Sequence, residues 1–239
     1  MMKRTFAFAL LAIAATAAPA FADEARVPPS LTVTGEGSVS ATPDIAIVSS
    51  GVVTQAQTAA AALKANAAAM TKVLAAVKQA GIEERDVATS GIGVQPQYDY
   101  GNDSSNPRSP RLVGYEVRNV VTIRSRNVDR AGDLVDGLVQ AGSNQIEGLS
   151  FDVSDRNEKL DEARRDAVAD ARRKAELYAT AAGVKLGAPL SIEETGGLEE
   201  PVRPFAMRAK AMDAAAATPI AKGEQELRAR VVVRWKLEN

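Results

Sequence analysis

Residues 33–44 run VTGEGSVSATPD, and a Gly-x-Gly pair after a strand-like entry is a spacing that lets backbone amides close around a phosphate. A phosphate loop also needs a lysine to neutralise charge and a hydroxyl to hold magnesium, in the order Gly-x-x-x-x-Gly-Lys-Ser/Thr. No lysine lies in this stretch, Pro43 opposes a helix running out of Gly37, and the third glycine of a dinucleotide fingerprint is absent. Gly35 and Gly37, with the Thr42-Pro43-Asp44 turn, are therefore expected to serve backbone freedom and close packing rather than a ligand.

Other chemistries fail on residue type. The chain has no histidine and no cysteine, which removes the usual general base, the commonest metal ligand and every Ser-His or Cys-His nucleophile. No serine stands three residues before a lysine, and there is no Gly-x-Ser-x-Gly elbow. Asp152-Val153-Ser154-Asp155 lacks the alternating oxygens of a calcium loop and is expected to be a strand end followed by a helix cap. The sequence thus assigns no catalytic, cofactor-binding or metal residue. A pair of carboxylates could still hydrolyse a glycosidic bond, but nothing in the order of the acids singles out a pair.

The ends bound the compartment. Lys3 and Arg4, the apolar run from Phe6 to Ala18, and small residues at Ala20 and Ala22 have the form of a secretory signal peptide over residues 1–22, cleaved after Ala22. The expectation is a periplasmic protein with one domain over 23–239 and no transmembrane span in the mature chain. A formal charge of −1, made more negative by losing Lys3 and Arg4, gives no bulk attraction to nucleic acid.

Whatever the function, these elements must frame it. Leu31 to Gln55 has two strand-like runs around the Pro43-Asp44 turn, the second apolar on both parities. Leu63, Ala67, Met70, Leu74 and Val77 step by four and three, which predicts an amphipathic helix over 57–80 with that stripe buried. Asp86 to Tyr100 and Tyr115 to Arg124 form a predicted hairpin across the polar loop 101–110. Asn127 is expected to cap a helix running to Ala141, and a strand around Leu149, Phe151 and Val153 follows.

A long helix from about Asp155 to Ala182 should bury Leu160, Ala163, Ala167, Val168, Ala171, Ala175 and Tyr178, leaving a mixed-charge face to solvent. Gly81, Gly142 and Gly183 end the three helices alike. After a strand at 189–194, residues 196–222 lose periodicity, either as a flexible excursion or as an oligomer-forming arm whose contacts would be Pro204, Phe205, Met207 and Met212. The last strand alternates Leu227, Ala229, Val231, Val233, Trp235 and Leu237 with a basic face. Arg228, Arg230 and Arg234 on that face are a candidate anion contact, or a solvated face that discourages edge pairing. The predicted class is α+β, an antiparallel or mixed sheet with three amphipathic helices packed on it.

Val33-Thr34-Gly35-Glu36-Gly37 with Pro43-Asp44, Ala80-Gly81-Ile82 leading into Thr89-Ser90-Gly91-Ile92, and Gly114-Tyr115 resemble the SIMPL-domain family, in its periplasmic immunogenic protein branch. Asn157 to Lys174, Ala181-Ala182-Gly183, Thr218-Pro219-Ile220 and Gly223-Glu224 carry the likeness to the last strand. The resemblance implies an exported α+β protein without an established catalytic activity, with oligomerisation into rings or channel-like assemblies and links to envelope or oxidative stress tolerance and host immune recognition. The expected function is that of a non-catalytic, outer-membrane-associated protein without a cofactor that forms homo-oligomers and contacts envelope protein partners. Alternatives are a periplasmic binding module for a small or anionic ligand and a carboxylate-dependent hydrolase.

Overall fold

The computed structural model describes residues 28–100, 109–195 and 218–239. The predicted signal peptide, most of the 101–110 loop and the segment holding Pro204, Phe205, Met207 and Met212 lie outside the described residues.

The strands divide between two antiparallel sheets. One has the order β1 (Ser30–Ala41), β7 (Gln225–Glu238), β6 (Lys185–Glu194). The other has β3 (Val87–Asp99), β4 (Arg111–Ser125), β2 (Ile45–Ala56), β5 (Gln145–Asp152). The α+β class holds, but what looked in sequence like one sheet splits at Thr42-Pro43-Asp44, where the chain leaves the first sheet for the second. Pro43 is fully buried at this crossing.

Helices α1 (Ala59–Gln79) and α2 (Ala131–Gln140) cover the four-stranded sheet, and α3 (Arg156–Ala181) covers the three-stranded one. Each helix ends in the same closed joint. At α1 the Ile82 N–H donates to the Val77 carbonyl and the Gly81 N–H to that of Lys78, with Gly81 at φ +79°. Ser143 and Gly142 close α2 on Leu138 and Val139, and Val184 and Gly183 close α3 on Ala179 and Thr180. The joint turns each helix directly into the next strand region.

Helix α1 is rotated from the stripe predicted for it, and α3 keeps the alanines of its predicted stripe but not the larger residues. Helix α1 buries Ala62, Asn66, Met70, Val73 and Val77, while Leu63 and Leu74 are exposed. Asn66 explains the rotation: its fully buried amide donates to the Val52 carbonyl at 2.8 Å and the Val117 carbonyl at 3.2 Å, reaching two adjacent strands. Helix α3 buries Ala163, Ala167, Ala171, Ala175 and Ala179, an all-alanine row at four-residue spacing, and leaves Val168 and Tyr178 exposed and Leu160 half-buried. The larger side chains are turned away because the strand beneath comes too close for them.

That strand is β1. A Cβ on Gly35 would stand 2.0 Å from the Ala167 carbonyl oxygen and 2.6 Å from the Ala171 Cβ, and one on Gly37 would stand 2.1 Å from the Ala163 oxygen. Neither glycine has positive φ, so it is close approach alone, not backbone freedom, that demands glycine here. Val33, Ala229, Val231, Val233 and Trp235 complete this core, as the alternation in the last strand predicted.

Asn127 does not cap a helix. A short 3₁₀ turn, Val128–Arg130, intervenes before α2, and the Asn127 N–H donates to the Ser125 hydroxyl instead.

Candidate functional site

Pro43 and Asp44 sit at the crossing between the sheets, while Gly35 and Gly37 lie against α3. Asp44 donates its N–H to the Asp152 carbonyl at 3.1 Å, and its carboxylate accepts from the Ser154 N–H at 2.7 Å and from the Ser154 hydroxyl. These bonds, the Ser154 hydroxyl foremost, hold the Asp44 carboxyl below its ordinary pKa. Gln225 adds a bond from its side-chain amide to the Phe151 carbonyl at 2.6 Å. Asp152-Val153-Ser154-Asp155 is thus a strand end clamped before α3.

Asp170 on α3 is a second clamp. Lys174 and Arg173 pair with it at 2.6 Å each, and its carboxylate also accepts the Glu36 backbone N–H at 3.1 Å. Lys174 first, then Arg173, lowers its pKa to about 2. Lys174 also donates to the Thr34 carbonyl at 3.2 Å. Thr34 and Glu36 share a parity of β1, so α3 side chains satisfy the edge of β1 that β7 leaves free.

Arg228, Arg230 and Arg234 lie on the middle strand of the three-stranded sheet, facing away from α3. Arg228 pairs with Glu226 at 2.6 Å and Arg230 with Glu36 at 2.8 Å, while Arg234 donates to the Ser30 hydroxyl at 3.0 Å. An anion bound here would compete with carboxylates already in place. Of the 196–222 segment, the described end is held to the chain's own α2 region: Thr218 donates its N–H and hydroxyl to Asp136, and Lys222 pairs with Asp129 at 2.9 Å.

Among the described residues, no group of three acidic side chains is arranged to hold a metal. Asp44, Asp136, Asp170 and Glu226 are all shifted downward by hydroxyl or cationic partners. Such groups stay ionised at neutral pH, the opposite of what a general acid requires.

Among the described residues, the β3–β4 hairpin carries six exposed large apolar side chains, a feature not anticipated from motifs. Strand β2 ends with Ala56 opposite Tyr115, so the pairs Gln97–Gly114, Tyr98–Leu112 and Asp99–Arg111 form a two-stranded ribbon extending past the rest of the sheet. Ile92 is 61% exposed and Tyr100 69%, and Val94, Tyr98, Leu112 and Val113 are also exposed. The sequence signal was present: Val87 to Tyr98 contains no charged residue. On the face away from α1, Gly91 and Gly93 floor an open depression of about 480 Å³. Around it Arg118 pairs with Glu147, and Glu116 accepts from Gln55 at 2.8 Å.

The described residues thus form a two-sheet α+β scaffold with clamped carboxylates and an exposed apolar hairpin. The chain belongs to the SIMPL family, described as a protein of unknown function (DUF541), whose model matches residues 31–235. It is 39% identical over 235 residues to a 26 kDa periplasmic immunogenic protein of Brucella melitensis, covering 96% of this chain and 94% of that one. The protein of the same description from Brucella abortus matches equally. The uncharacterized protein YggE of Escherichia coli is 30% identical over 184 residues, 77% of this chain and 72% of its own. These descriptions indicate no catalytic family.

Proposed function

We propose that this chain is an exported periplasmic protein that works without catalysis, by self-association and by contact with other envelope proteins. The observation that carries the reading is the concentration of exposed large apolar side chains on one hairpin, Ile92, Val94, Tyr98 and Tyr100 on β3 and beyond its end with Leu112 and Val113 on β4. A projecting two-stranded ribbon is marginally stable in water, and exposed apolar side chains gathered on it favour a protein partner.

Export is supported by the basic start, apolar run and Ala20-Phe21-Ala22 site at the N-terminus, and by the word periplasmic in the description of the Brucella relatives. A role in envelope or oxidative stress tolerance fits this reading. Its test is the survival under oxidant of cells lacking the protein, restored by the wild-type chain.

Native mass spectrometry of the purified protein tests the central reading. A defined oligomer is expected, and a strictly monomeric chain would overturn it. N-terminal sequencing of the periplasmic fraction is expected to begin at Asp23.

A further inference from the structure

The sheets have several strand edges, and β1, β2, β5 and β6 each carry charged residues or a covering side chain along theirs. The free side of β1 is closed by Asp170 and Lys174 from α3. Beyond the start of β5, β2 is closed by Asn144, whose side chain accepts the Val53 N–H and donates to the Val53 carbonyl, both at 2.8 Å. Edge strand β6 carries Lys185, Pro189, Glu193 and Glu194, and edge strand β5 carries Glu147, Asp152 and a bulge opposite Ser49 and Ser50. Charges, prolines and bulges are the ordinary means of keeping an edge from adding a strand.

Strand β3 differs. It is the outer strand of its sheet, thirteen residues long, and Val87 to Tyr98 bears no charge. Only the N-terminal bulge near Thr89–Gly91, Pro96 and the bulge at Gln97–Tyr98 interrupt it, leaving Gly91 to Gln95 regular in its pairing with β4. Among the described residues no strand pairs with the outer side of β3, and what completes such an edge is another extended strand.

We propose that β3 pairs antiparallel with β3 of a second copy of this chain, about a two-fold axis at Gly93. The inference rests on the self-association reading and names its surface. In this register Ile92 lies opposite Val94 of the second copy and Gly91 opposite Gln95, so exposed apolar side chains pair and no like charges face each other. The product is a continuous eight-stranded sheet, four strands from each copy, joined by an isologous contact.

Gly93 provides a direct test. A Cβ added there meets nothing within 4 Å, and the chain has no cysteine, so Gly93→Cys introduces a single accessible thiol. On the two-fold axis of an antiparallel pair the Cα atoms stand about 4.5–5.5 Å apart, inside the range a disulfide spans. The expected result is a covalent dimer under mild oxidation of the full-length purified protein, with Ser191→Cys on β6 giving none.

Ile92→Lys is the complementary variant, since its side chain is already in water and its fold can be checked by circular dichroism. Sedimentation should show at least about a tenfold weaker association, equal to ~1.4 kcal/mol, while Leu190→Lys on β6 leaves assembly unchanged. An oligomer that keeps its mass in Ile92→Lys and gives no Gly93→Cys dimer overturns the β3 contact but leaves self-association standing. A monomeric wild-type chain overturns both.

Discussion

Gly37 and Ala163 are in direct contact: a Cβ on the glycine would sit 2.1 Å from the alanine's carbonyl oxygen and 2.5 Å from the Ala167 nitrogen. Both obstacles are backbone atoms, which cannot rotate away. Gly37→Ala should therefore lift α3 from β1 and cost about 3 kcal/mol in urea unfolding. Gly137→Ala, in α2 with nothing within 4 Å of its new Cβ, should instead stabilise by about 0.5–1 kcal/mol.

Asn66 is buried with both amide hydrogens committed to carbonyls of neighbouring strands. Replacing it with alanine removes two bonds and opens a small void, so Asn66→Ala should cost about 2–3 kcal/mol by chemical denaturation. Leu74→Ala, at an exposed position the simple apolar pattern assigns to the core, should cost well below that.

Asp170 gives the protein a specific acid sensitivity. Its folded pKa of about 2 lies below the ordinary 3.8, so the folded state binds its proton less readily than the unfolded chain. The stability this contributes is complete above pH 3.8 and disappears as pH falls toward 2. Asp170→Asn should lower stability at neutral pH and show a shallower decline across that window, measured as urea midpoints from neutral pH down to about pH 2.

Asp44 and Ser154 should behave as one unit across the sheet crossing. Asp44→Ala and Ser154→Ala are each expected to cost about 1 kcal/mol, the scale of a lost helix cap, and the double variant less than the sum. Additive costs in a double-mutant cycle would show that the two side chains do not support each other.

Much of the scaffold was legible in sequence because its signals are local. The switch from period two to period four, the three glycines closing helices and the Trp235 alternation each depend on a few neighbouring residues. The rotation of α1 was not legible, since Leu63 and Leu74 fit the apolar stripe better than Asn66 does. Only the Val52 and Val117 carbonyls, brought side by side by strand pairing, make the asparagine the better buried residue.

The same holds for sites. Gly35 and Gly37 could be denied a phosphate from sequence, because the lysine and hydroxyl that chemistry needs are missing. What they do instead depends on a helix about 130 residues later in the chain, and the row of small alanines facing them has meaning only as a contact surface. The neutral run from Val87 to Tyr98 was equally visible, but a strand without charge is unremarkable at the centre of a sheet.

By itself the sequence determined which chemistries are ruled out, where helices end, and which residues alternate. Those are matters of side-chain type and short-range periodicity. Tertiary structure alone decided that the strands form two sheets, that α3 seals the edge of β1, and that β3 stands at the edge of its sheet. Edge and centre are properties of which strands lie side by side, and that order is fixed by contacts between residues far apart in the chain.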